Sequence, residues 1–303
     1  MRIVILGTSS AIPTQDRGLS AIAIRRGGEL LLFDVGEGTQ RALIKAKLGL
    51  NRKMKIFITH LHGDHCIGLI GLFQTMSMVN RDKPLDVYGP KGLMGFVKSN
   101  MKHLRFGLTY PLSIHEIKRE GIVVKESDYT VKTCKTEHSV LTYAYLLQEK
   151  PRPGIFNPKI ASKLGVPEGK LWSRLQHGRS VMVGSKLVKP SQVMNPKRGG
   201  RTVGISGDTR PAAHLSKFFS EVDVLIFDST YGDDHMDKAI DNTHSTAREA
   251  ATVAFNAEAK LLALTHFSSR YDDVQRLVKE AMEVHPKVVA AHDMMTLDVL
   301  FQE

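Results

Sequence analysis

Short runs rich in Val, Ile, Leu and Tyr recur along the chain and stop at Gly, Pro or polar turns, the pattern of β-strands. They predict strands at Arg2–Leu6, Ala21–Arg25, Leu30–Val35, Lys55–Thr59, Leu85–Tyr88, Tyr129–Thr133, Leu141–Leu147, Thr202–Ser206, Val222–Asp228, Lys260–Thr265 and Lys287–Ala290. Apolar positions at helical spacing predict helices over Thr39–Leu48, Asp64–Met78, Lys91–His103, Thr246–Ala257 and Tyr271–Val284. Strands dominate early and alternate with helices later. An α/β fold of two mixed sheets covered by helices satisfies this order.

One segment breaks the pattern. Lys150–Arg201 holds six prolines, seven glycines and only brief apolar runs. It lies between two clear strands of a 303-residue chain, so the expectation is one domain, 1–303, interrupted by a flexible, irregular arm at 150–201. Charge singles out the same segment. It carries 12 Lys or Arg and one acid, Glu168, whereas basic and acidic residues balance over the rest. The whole net charge of +11 is therefore local, as a polyanion contact requires; a generic solubilising surface spreads its charge. No run reaches the roughly 18 apolar residues of a membrane helix. Met1–Gly7 reads as a first strand and not as a signal peptide. Two cysteines, Cys66 and Cys134, provide no disulfide framework, which favours a reducing, cytoplasmic setting.

The chemistry lies just after the strand Lys55–Thr59. His60-Leu61-His62-Gly63-Asp64-His65 packs three imidazoles and a carboxylate into six residues, a density that points to a metal. Extended backbone puts His60 and His62 on one side, and Asp64 and His65 turn back as a helix begins. His138, Asp208 and His266 each follow a predicted strand and complete seven candidate ligands, enough for two ions sharing a carboxylate. His244, in Asn242-Thr243-His244-Ser245-Thr246, is a candidate acid, although the same position suits a residue entering a capped helix. Cys66 reads as a packed side chain. His292-Asp293 reads as a strand-end turn, and His103, His115, His177, His214, His235 and His285 lack supporting neighbours.

The run His60–His65 is the signature motif of the metallo-β-lactamase fold, and the chain resembles the ribonuclease Z branch nearly end to end. The resemblance rests on Leu6-Gly7-Thr8, Phe33 to Gln40, Gly207-Asp208-Thr209-Arg210, His244-Ser245-Thr246 and Thr265 to Tyr271. Gly165-Val166-Pro167, with Gly169 and Leu171, resembles the Gly-x-Pro part of that branch's tRNA-binding arm. The resemblance implies two zinc ions per chain, one on His60, His62 and His138, the other on Asp64, His65 and His266, with Asp208 bridging. It implies Asp64 as the group that handles the attacking water and His244 as the proton donor, paired with a carboxylate. That carboxylate is a glutamate in the family and Asp228 here. Asp34 supports the site from behind the ligands. For substrate it implies precursor tRNA, gripped through Gly165, Pro167, Lys170 and Arg174 on the arm and through Arg17 and Arg270. The early loop keeps Pro13 and Arg17 of the family's Pro-x-Lys-x-Arg-Asn but lacks its lysine. A homodimer is also implied. Two other functions share the fold or the charge: a thioesterase or lactonase, which has no need of a polycation, and a non-catalytic nucleic-acid binder, which has no need of seven ligands.

Overall fold

The computed structural model describes residues 1–301. Their contacts form two compact units, Met1–Gln148 with Thr202–Leu300, and Glu149–Arg201 with Phe301.

The strands of the first unit are apolar on both faces because both faces are covered. Ile3 and Ile5, Leu31 and Phe33, Val203 and Ile205, and Val224 and Ile226 point into one shared layer between two sheets. Their neighbours Val4, Leu6, Leu30, Leu32, Met54 and Ile56 point to the other side, against the helices Thr39–Lys45, Gly68–Met78 and Leu93–Leu104. Leu225, Phe227, Leu262 and Leu264 do the same on the second sheet, against the helices Ala213–Phe218, Ala247–Asn256 and Gln275–Met282. The result is the helix–sheet–sheet–helix sandwich expected.

Among the described residues each sheet has seven strands. The first runs Thr296–Asp298, Arg2–Gly7, Ala21–Arg26, Glu29–Phe33, Lys53–Phe57, Leu85–Gly89 and Leu112–Glu116. Its last four strands are parallel, and Thr296–Asp298 pairs antiparallel with Arg2–Val4. The second runs Val288–Ala290, Leu262–Thr265, Val224–Asp228, Thr202–Ile205, Tyr143–Glu149, Tyr129–Lys135 and Gly121–Lys125, the first four parallel. Between the sheets Phe33 stacks on Phe57 and Phe57 on Tyr88, at ring separations of 4.9 and 5.2 Å. Tyr145 meets Phe57 edge-on and donates its hydroxyl to the Ile58 carbonyl at 2.7 Å, stiffening the backbone just ahead of the histidine run.

The structure departs from the expected elements in three ways. The helix expected over Asp64–Met78 breaks at Ile67 into Gly63–Cys66 and Gly68–Met78. Strands Leu112–Glu116, Gly121–Lys125 and Thr296–Asp298 and helices Ala213–Phe218 and Met236–Asp241 are additional. The segment expected to be irregular is a folded unit. It contains helices Pro158–Lys163 and Lys170–Gln176 and a hairpin of Val181–Val183 with Lys186–Val188. Ala161, Val166, Leu175, Val181, Val188 and Val193 form its own small core. Two of its prolines start structure: Pro190 opens a short 3-10 turn, and Pro158 opens a helix behind Asn157, whose side chain accepts the Ile160 N–H at 3.1 Å. Backbone pairing of Glu149 with Arg201, reinforced by a forked ion pair with Oε2 at 2.8 Å, closes the root of this unit.

Candidate metal centre

All the candidate ligands sit at or just beyond the C-terminal ends of strands, where open α/β sheets place their sites. His60 and His62 follow Lys53–Phe57, and Asp64 and His65 lie on the one-turn helix Gly63–Cys66. That helix can dock only because a glycine follows it closely. A Cβ on Gly68 would lie 2.0 Å from the Gly36 carbonyl oxygen. His138 follows Tyr129–Lys135, Asp208 follows Thr202–Ile205, and His266 follows Leu262–Thr265.

The side chains converge in two groups. His62 Nδ1 lies 3.1 Å from His60 Nε2 and 3.2 Å from His138 Nε2. Asp208 Oδ2 faces this trio, 3.5 Å from His60 and 3.9 Å from His138. In the second group His65 Nε2 and His266 Nε2 are 3.2 Å apart, with Asp64 Oδ2 3.6 and 3.4 Å from them. The other oxygen of Asp208, Oδ1, faces this pair at 3.3 and 3.5 Å. One buried carboxylate thus presents one oxygen to each group.

Four of the five imidazoles are held from behind. His60 Nδ1 contacts Thr59 Oγ1 at 2.9 Å, His65 Nδ1 contacts Asp34 Oδ2 at 2.7 Å, His138 Nδ1 contacts the Thr243 carbonyl at 2.9 Å, and His266 Nδ1 contacts Thr230 Oγ1 at 2.9 Å. Such outer bonds fix ring orientation and tautomer and leave the inward nitrogen free to ligate. Three residues here, Asp34, Thr243 and His266, have φ between 56° and 64°, a left-handed backbone that is uncommon outside glycine and that tends to mark functional sites. The Asp34 carboxylate also accepts Thr59 N–H at 2.7 Å and Thr59 Oγ1 at 2.8 Å, so it braces both groups at once.

His244 stands beside the cluster with Nδ1 2.9 Å from Asp228 Oδ2 and 3.9 Å from Asp208 Oδ2. Burial opposes its charge, but the Asp228 carboxylate outweighs that and raises the imidazole above its ordinary value. Burial likewise opposes the Asp228 charge, and His244 together with further hydrogen bonds holds that carboxyl well below the usual range. The aspartate reaches its partner without the extra methylene of the family's glutamate. Arg17 Nη2 donates to the Ser268 carbonyl at 3.3 Å, and Arg270 Nε to Ser268 Oγ at 2.8 Å, so both flank the turn two residues beyond His266. Gly165, Pro167, Lys170 and Arg174 lie in the second unit, the last two on its helix Lys170–Gln176. Burial pushes the Cys66 thiol up to about 12, as befits a packed side chain. His285 bonds backbone carbonyls, and Asp293 caps Gly18 N and Thr8 Oγ1 in a turn.

The donor set fits a metal. Tetrahedral coordination at about 2.0–2.1 Å places ligand nitrogens about 3.3 Å apart, and the separations within the two groups run from 3.1 to 3.9 Å. Two mixed sheets between helices, with this His and Asp cluster at their strand ends, define a metal-dependent hydrolase of the metallo-β-lactamase fold. The structure of human tRNase Z, short form, superposes with a TM-score of 0.73 at 30% identity, covering 99% of this chain and 100% of that one. A ribonuclease Z from Nitrosopumilus maritimus is 50% identical over 299 residues, 99% of this chain and 100% of its own length. One from Methanosarcina acetivorans is 43% identical over 303 residues, 100% of this chain and 99% of its length. The chain belongs to the ribonuclease Z family. A family profile described as "Anti-Pycsar protein Apyc1" also matches residues 1–150, the half that contains the histidine run. The metallo-β-lactamase fold protein YhfI of Bacillus subtilis shares the fold at a TM-score of 0.69 and 18% identity, covering 98% of this chain.

The residues behind the ligands were the part that sequence reasoning missed. Thr59, Thr230 and Thr243 have no distinguishing residue type, and only their position beside a ligand or a strand end could have marked them.

Proposed function

We propose that this chain is an endoribonuclease that removes the 3′ trailer from precursor tRNA with two zinc ions per chain. The products are a tRNA 3′-hydroxyl and a 5′-phosphorylated trailer. The carrying observation is Asp208, one oxygen toward each ligand group, with the His244–Asp228 pair beside it in a chain alike to ribonuclease Z over its whole length.

Imidazole and carboxylate donors suit zinc. His60, His62 and His138 would hold one ion, Asp64, His65 and His266 the other, and Asp208 both. A bound pair would supply Lewis acidity toward the phosphoryl oxygens and toward the attacking water. Asp64, its Oδ2 fixed by the Ala11 N–H at 2.8 Å, orients the water and accepts its proton. The water oxygen bonds to phosphorus as the bond from phosphorus to the tRNA 3′ oxygen breaks. His244 delivers a proton to that departing oxygen, and Asp228 holds the imidazole through Nδ1 so that Nε2 faces the substrate. Arg17 and Arg270, beside the cluster, take backbone phosphates. The basic second unit takes the body of the tRNA, and a thioesterase or lactonase would have no use for it. The proposal places the protein in the cytoplasm, in keeping with its two free cysteines, and as a homodimer, which rests on the family resemblance. No helix among the described residues is long and apolar enough to cross a membrane.

Mapping the 3′ ends produced from one precursor tRNA tests the activity. A single cut leaving a 3′-hydroxyl is expected; a 2′,3′-cyclic phosphate or an uncut precursor would overturn it.

Two further results are expected. Asp34→Ala releases the outer nitrogen of His65 and should weaken metal binding about 10–100-fold, read by competition with a chromogenic chelator. Unchanged affinity would remove Asp34 from the site. The second concerns the basic unit. Because Glu149 and Arg201 are paired through their backbones at 3.0 Å, a tight turn can replace everything between them. This deletion removes nearly all of the charge excess and should weaken tRNA binding. Every phosphate that the shortened protein no longer neutralises should flatten the slope of log affinity against log salt by about 0.7–0.9. Hydrolysis of bis(p-nitrophenyl) phosphate should persist, because the ligands and His244 lie in the other unit. An unchanged tRNA affinity and slope would mean that the basic unit is not the grip.

A further inference from the structure

Arg210 follows Asp208 by two residues, yet its side chain turns away from the cluster. Its Nη1 donates to the His244 carbonyl at 2.6 Å and to Glu249 Oε2 at 2.8 Å, while Nη2 bonds the other oxygen of Glu249. Glu249 is already committed. Its Oε2 accepts Thr246 N–H at 2.9 Å, and its own N–H donates to Thr246 Oγ1 at 3.2 Å, the reciprocal cap that starts the helix Ala247–Asn256. The guanidinium therefore ties the carbonyl of His244 to a helix end that is itself fixed.

The backbone of the same residue joins two more loops. Arg210 N–H donates to the Glu137 carbonyl at 2.8 Å, and Glu137 N–H donates to Thr209 Oγ1 at 3.2 Å, one residue before His138. Thr209 N–H donates to Asp228 Oδ2 at 3.0 Å, the oxygen that faces His244, and Ser245 Oγ donates to the Thr209 carbonyl at 2.5 Å. Loops carrying His138, Asp208 and His244 thus meet at Thr209 and Arg210. An arginine fork suits this position because three directed bonds in one plane are needed; a lysine ammonium cannot match that geometry.

Accepting His244 as the proton donor, we propose that Arg210 is a positioning residue for the leaving-group step: it sets the peptide plane after His244, and hence the direction of the imidazole, while touching no reacting atom itself. A purely structural ion pair, with side chains 18% exposed on both partners, would lower stability and slow every substrate alike. A positioning residue slows only substrates whose leaving oxygen needs the proton.

The test compares Arg210→Met, Arg210→Lys, Glu249→Gln and His244→Ala with the parent metal-loaded protein. The substrates are precursor tRNA and bis(p-nitrophenyl) phosphate, whose leaving group departs without a proton. For Arg210→Met, kcat on precursor tRNA should fall about 10–10²-fold with KM within about twofold, the scale expected when a reacting group is displaced by about 1 Å. The activated diester should lose much less, and bound metal should be unchanged. Arg210→Lys, keeping the charge without the fork, and Glu249→Gln, keeping the fork with one weaker partner, should show the same split in smaller measure. They carry the test if Arg210→Met does not fold. Equal losses on the two substrates, a change confined to KM, or loss of metal would overturn the inference. His244→Ala separates the two layers. If it shows the leaving-group split and the Arg210 and Glu249 variants do not, only the positioning role fails. If His244→Ala lacks the split as well, the proton-donor assignment fails and takes this inference with it.

Discussion

Asp208→Ala is expected to leave the protein with little metal and no measurable cleavage of precursor tRNA. The carboxylate is buried, with Oδ2 toward His60 and His138 and Oδ1 toward His65 and His266. Without it the two groups have no shared ligand, and one carboxylate, Asp64, remains among five neutral imidazoles. Two dications would then face a single negative charge in a poorly hydrated setting, where uncompensated charge is strongly disfavoured. Loss should therefore reach both ions and not just one. Elemental analysis after gel filtration measures this directly: about two zinc per chain in the parent and most of both missing in the variant. A variant that still carries two ions would show that Asp208 does not bridge.

His244→Ala should separate chemistry from binding. The imidazole is bonded to Asp228 at 2.9 Å and has no place in either ligand group described above, so metal content should be retained. Loss of a general acid costs about 10²–10⁴-fold on a poor leaving group, and a tRNA 3′ alkoxide is a poor one. On bis(p-nitrophenyl) phosphate the loss should be far smaller. Asp228→Asn should give a weaker form of the same pattern, since the His244 imidazole remains while the amide can accept from only one of the Thr209 and Thr230 N–H groups that now reach separate oxygens at 3.0 Å. If His244→Ala slows both substrates equally, the donor must be sought elsewhere.

Much of this architecture was legible in the sequence, and the exceptions have physical causes. Arg2–Gly7, Glu29–Phe33 and Val224–Asp228 are covered on both faces, so their residues are apolar almost without interruption. Leu112–Glu116 and Gly121–Lys125 are the outer strands of their sheets, partly exposed along their length; a half-wet strand carries the polar residues of a loop. Thr296–Asp298 is too short to show a period. In the basic unit, composition misled: proline and glycine counts suggest irregularity, whereas the position of Pro158 behind a capping Asn157 builds a helix. For the site, ligand types and spacing pointed to seven residues that the fold gathers into two groups. The bracing by Thr59, Thr230, Thr243 and Arg210 was illegible, because a hydrogen bond to an imidazole from a distant loop depends on three-dimensional placement and leaves no periodic trace.

The pairing of Thr296–Asp298 with Arg2–Val4 bears on how the molecule is made. As the chain is synthesised, Arg2–Gly7 soon has one neighbour, Ala21–Arg26, at hand, while the other follows nearly three hundred residues later. Until then that edge offers unpaired N–H and C=O groups to any passing strand. The site matures late as well, because His266 emerges some two hundred residues after His60. Contacts of such separation form slowly. The metal centre is therefore among the last parts of the fold to come together.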